Sequence, residues 1–103
     1  MVTEIEELLN APTSGAHAPS LARMEETLTE GYARALMLEA ERSRLERRLG
    51  EVAREGAGED PSDFAEQVRT LASRATHADG ELRRLRSLLG TLRERTRTLR
   101  AAS

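Results

Sequence analysis

The side chains in this sequence that could move a proton or hold a metal are two histidines, His17 and His77, and 18 carboxylates. There is no Cys, so a thiolate nucleophile, a thiolate metal site and a disulfide framework are all excluded. Nucleophilic catalysis needs a base beside its nucleophile and a third group orienting the base. The two histidines lie far apart in sequence, and neither sits in such a constellation. Each reads as a solvated side chain. No HExxH, phosphate-binding loop or GxGxxG is present. The acidic stretch Glu59-Asp60-Pro61-Ser62-Asp63 lacks the oxygen-ligand spacing of a calcium loop and reads as a turn followed by a helix cap. The expectation is therefore a non-enzyme with no cofactor and no metal.

All 16 basic residues are Arg. Absence of Lys fits the codon bias of a high-GC, bacterial genome. Charge is unevenly spread: residues 1–30 carry a net −5, residues 31–80 a net −2 and residues 81–103 a net +5. The segment from Arg83 to Arg100 could by itself contact phosphates. No aromatic residue interleaves its arginines, so base stacking is unsupported. The acidic N-terminal third offers it a partner within the chain, with Glu25, Glu26 and Glu30 set against Arg86, Arg93, Arg95 and Arg100. Nucleic-acid binding is the less favoured expectation.

The elements that must carry these charges are helices. Leu, Ala, Arg and Glu dominate a chain with one Tyr, one Phe and no Trp. TEIEELLN, residues 3–10, suits a short helix with Thr3 as N-cap and Glu6 as its capping-box partner. Ile5, Leu8 and Leu9 form its apolar face, and so short a helix must dock on something to persist. APTSGAHAPS is a linker ending near Ser20.

From Leu21 a heptad begins: Leu21, Met24, Leu28, Gly31, Ala35, Leu38, Arg42, Leu45, Leu49 and Val52, eight of the ten apolar. REGAGED interrupts it. Asp60 then suits an N-cap and Pro61 the first helical position. A second stripe follows in one phase: Phe64, Val68, Leu71, Ala75, Ala78, Leu82, Leu85, Leu89, Leu92, Thr96 and Leu99. His77-Ala78-Asp79-Gly80-Glu81 could break this helix and give a three-helix bundle, but the heptad crosses Gly80 without a phase change.

The predicted fold is all-α: an antiparallel two-helix coiled-coil hairpin with a short N-terminal helical arm, expected to dimerise into a four-helix bundle. Residues 1–19 are arm and linker; residues 20–103 are the hairpin, with helices over about 20–55 and 61–101 and a turn over about 56–60. In one register facing residues pair Leu45 with Ala75, Ala35 with Leu85 and Gly31 with Leu89. Arg42, at a seam position, then faces small Ala78 and can give its charge to Asp79 or Glu46. Such a residue fixes register at some cost in stability. Tyr32, Leu36, Met37 and Leu88 lie off the stripes and make an extra apolar patch, the candidate interface with a partner or second copy; the arm residues Ile5, Leu8 and Leu9 could instead fold back over it, and dimerisation is the favoured cover.

Three hairpin families bear comparison. Length and topology are similar to WXG-type secreted hairpins, but the turn has no Trp. The tip resembles transcript-cleavage factors of the Gre type through Glu59, Asp60 and Asp63 alone. Glu39 and Ser43 match the start of the Glu-x3-Ser-x2-Arg-x3-Gln-x3-Asp helix of anti-sigma factors that bind cyclic di-GMP, and Glu46, Gly50 and Arg54 then depart from it. None is assigned. The functional expectation is a coiled-coil adaptor or scaffold that binds itself or another protein. The alternative is a regulator of transcription machinery, binding a sigma factor or RNA polymerase. No apolar run exceeds four residues and no signal sequence is visible, so no membrane contact and a cytoplasmic location are expected.

Overall fold

The computed structural model describes residues 1–58 and 60–102; Glu59 of the acidic turn lies outside the described residues. The described chain is helical in three elements: α1 (Val2–Asn10), α2 (Leu21–Glu55) and α3 (Pro61–Ala102).

Local chemistry sets the ends. Ser20 Oγ accepts the N–H of Arg23 at 3.1 Å, and the Ser20 carbonyl accepts that of Met24, which opens α2. Two glycines in the left-handed region, Gly56 (φ +79°) and Gly58 (φ +63°), stop it. The Gly56 N–H still reaches the Val52 carbonyl at 3.1 Å. Asp60 Oδ1 accepts the N–H groups of Ser62 and Asp63 at 3.0 and 3.3 Å, and Pro61 takes the first helical position of α3. α3 then runs unbroken through Gly80, so residues 77–81 do not divide it.

One cap is corrected. α1 starts at Val2 because the Ile5 N–H bonds the Met1 carbonyl at 3.1 Å, so Thr3 lies inside the first turn and caps nothing. Glu6, free of a capping role, turns to Arg84.

The described residues divide into two compact units. The first comprises Met1–Leu36 and the part of α3 from Arg83 onward; the second is Met37–Leu82. In the second unit Leu45, Val52 and Leu71 form a buried cluster, with Leu49, Phe64, Val68 and Ala75 packed against it. Every one is a heptad position of α2 or α3. Leu38, Ala78 and Leu82 extend the buried set.

The first unit has three helical components. Its core is Ile5 of α1, Met24 and Ala35 of α2, and Leu85, Leu89 and Leu92 of α3. Thr27 is fully buried there, although it lies off the heptad stripe. It stands one turn before Gly31, which Ile5 of α1 and Leu89 of α3 both approach. Its hydroxyl donates to the Arg23 carbonyl at 2.9 Å; that of buried Thr96 donates to the Leu92 carbonyl at 2.7 Å. Back-bonding of this kind satisfies a buried hydroxyl without a partner on another helix.

Candidate interaction surfaces

Three places bring together the side chains singled out above. On α2, Tyr32 and Leu36 in the first unit are 42% and 66% exposed, and Met37 in the second is 62% exposed. Among the described residues these are the exposed large apolar side chains. Exposed Ala33 and Ala40 flank them on the same helix. Leu88 differs from them in being half-buried. Arg84, Leu88 and Arg95 follow an i, i+4, i+11 spacing and share one face of α3. That face receives α1, because Arg84 Nη2 meets Glu6 Oε2 at 3.0 Å and Arg95 Nη1 donates to the Leu9 carbonyl. Leu88 is thus on the arm side of α3.

The second place is the Arg42 pair. Its Nη1 donates to Asp79 Oδ1 at 2.9 Å, while its Nε lies 3.9 Å from Glu46 Oε1. Asp79 is the closer of the two expected partners. Both members of the short pair keep about a third of their side-chain surface in water (31% and 32%). At that exposure an ion pair contributes about 0–1 kcal/mol. In the expected register residue 42 faces Ala78, which is buried, so Leu there would remove more apolar surface from water than Arg does. Arg42→Leu is therefore expected to raise the unfolding free energy by about 1 kcal/mol, read as a higher urea midpoint at unchanged m. A loss of similar size would show that the pair itself stabilises the unit.

The third place is the seat of α1: docking of the arm was one of the expectations, but not at Gly31, Arg84 and Arg95. Ile5 is fully buried, and its Cδ1 lies 3.6 Å from where a Cβ on Gly31 would stand. Leu89 occupies that same position so closely that any side chain on residue 31 would collide with it. Gly31 is the heptad residue where a large apolar side chain was due. Its absence, together with an arm whose Ile5, Leu8 and Leu9 need cover, was the available signal. Arg95 supplies the cation that the last turn of α1 lacks, satisfying one of its terminal carbonyls. Nearby, Arg100 Nη2 meets Glu25 Oε1 at 2.7 Å. An open cleft of about 440 Å³ lies in this unit, lined by Leu8, Pro12, Pro19, Met24, Arg95 and Leu99 among others.

His17 and His77 are both exposed. Among the described residues no group of three or more His, Asp or Glu side chains could hold a metal ion, and no helix is long and apolar enough to cross a membrane. No protein family, curated protein or solved structure matches this chain.

Proposed function

We propose that this chain is a non-enzymatic protein–protein interaction module: an antiparallel helical hairpin that pairs with a second copy, its working form a homodimeric four-helix bundle serving as adaptor or scaffold. The observation that carries it is the exposure of Tyr32, Leu36 and Met37 on α2. Large apolar side chains clustered along one exposed helix mark a contact surface. A two-helix pair also buries little area for its length, and association is the common remedy.

Antiparallel packing is supported by contacts inside the first unit. Glu25 meets Arg100 and Gly31 lies against Leu89 there, so numbers on α3 fall as those on α2 rise. A second copy is favoured as partner because a two-fold contact lets one apolar strip cover its own counterpart.

Sedimentation velocity from micromolar to millimolar concentration tests the reading. The wild-type chain is expected as a dimer, and Leu36→Glu/Met37→Glu as a monomer of unchanged helix content, because both side chains are exposed within the single chain. A wild-type monomer across the whole range would remove the homodimer.

A further inference from the structure

The seat of α1 has three recognition features within five residues of its occupant. An apolar side chain at position 5 fills the space left open by Gly31 against Leu89. A carboxylate on the next residue meets Arg84. A helix C-terminus places its carbonyl on Arg95. The groove therefore accepts a short acidic amphipathic helix, and α1 is held in it lightly. Ile5 is its one buried residue, and its ion pair is exposed on both sides. A helix of nine residues has little stability of its own.

The connection to α2 is equally loose. Residues 11–20 are non-helical, positions 12–17 are exposed, and the open cleft lies against Pro12 and Pro19. Extended, ten residues span on the order of 33 Å.

We infer that this groove exchanges its occupant between copies: in the paired state, α1 of one chain docks on Gly31, Leu89, Arg84 and Arg95 of the other. The inference rests on the self-association proposed above. Charge complementarity selects the occupant. α1 carries Glu4, Glu6 and Glu7 and no basic residue, while residues 81–103 carry a net +5. A second copy supplies a helix meeting all three features, so exchange forfeits no contact made by the closed arm. Within a dimer the neighbour's groove is presented at an effective concentration comparable to that of the chain's own. Swapping of such a terminal element is a low-cost route to stable pairing.

Because the chain has no Cys, single introduced thiols test this cleanly. Full-length Asn10→Cys and Thr91→Cys chains leave the Glu6–Arg84 pair and the Arg95 contact intact; both sites are exposed, and they stand beside Leu9 and one turn from its partner Arg95. The two chains are mixed in equal amounts, equilibrated and treated with a short bis-maleimide. Exchange predicts that the mixed product, joining position 10 of one chain to position 91 of the other, exceeds the half share given by random pairing. In the Asn10→Cys/Thr91→Cys double variant, the fraction linked between chains should rise with concentration. A mixed product at or below random, with the double variant closing within one chain at every concentration, would overturn exchange. If this occurs while wild type still sediments as a dimer, the pairing reading survives and the arm stays at home. An arm opened only by an added foreign acidic helical peptide would also overturn exchange and make the groove a receptor for another protein.

Discussion

Replacing Leu85 by Ala is expected to lower the unfolding free energy by about 3–4 kcal/mol, a shift in Tm on the order of 15 °C. Leu85 is fully buried in the first unit, and Ala35, 7% exposed, is the α2 residue that the heptad register sets at its level. Large-to-small substitutions cost most where the surroundings cannot close on the gap. In that register the facing residue is already small, so α2 has no larger side chain at that level to close the gap. The same geometry predicts a rescue. Ala35→Leu alone overpacks the layer and destabilises, whereas Ala35→Leu with Leu85→Ala returns the missing volume from the other side. It should recover at least half of the loss, because volume-conserving rearrangements of a core are tolerated best. Urea titrations of the four chains form a double-mutant cycle with a large favourable coupling. Additive penalties would place the two residues at different levels and discard the register.

That cycle probes what the sequence made most legible. The limits of α2 and α3 follow from short-range chemistry written in consecutive residues: Ser20 as a cap, Gly56 and Gly58 as a stop, and Asp60-Pro61 as a start. The core positions follow from a period that persists across Gly80, where no neighbour or backbone strain demands a break. Even the charge at Arg42 could be narrowed to Asp79 or Glu46, since a seam position restricts which carboxylates lie within reach, and the structure brings both within 4 Å.

The seat of α1 had no such restriction. Ten residues of linker erase the phase between α1 and α2, so periodicity cannot say which face receives Ile5. Seven arginines in residues 81–103 offer the arm chemically equivalent partners, and the sequence does not distinguish Arg84 and Arg95 among them. Thr27 was missed for the same reason. A two-helix heptad assigns one buried stripe to α2, and Thr27 lies off it, one turn before Gly31, the residue that Ile5 of α1 approaches. Leu88, which the sequence pattern groups with Tyr32, Leu36 and Met37, is half-buried and shares a face of α3 with Arg84 and Arg95.

Gly31→Leu should be the substitution that separates the arm from the rest of the molecule. By heptad rules it is an improvement: a poor helix former at a seam position gives way to the preferred residue, worth about 1 kcal/mol in propensity. The geometry reverses the sign. A Cβ at residue 31 would collide with the Leu89 side chain, and the Ile5 tip lies 3.6 Å away. Leu89 is 2% exposed and has little room to turn aside. The element that can yield is α1, which buries only Ile5. The expected result is a chain that keeps α2 and α3 but releases α1, with a net loss of about 1–3 kcal/mol. In hydrogen exchange the amides of residues 5–10 should lose protection, while those around Leu45 and Leu71 keep it. Gly80→Ala is the internal control. Nothing lies within 4 Å of its added Cβ, so only propensity acts, and stability should rise by up to about 1 kcal/mol. Opposite signs at two glycines of this chain would show that residue 31 is empty to make a seat, and residue 80 for no packing reason. Equal gains at both would mean that Leu89 and Ile5 leave space at Gly31, and the groove on which arm exchange depends would not exist.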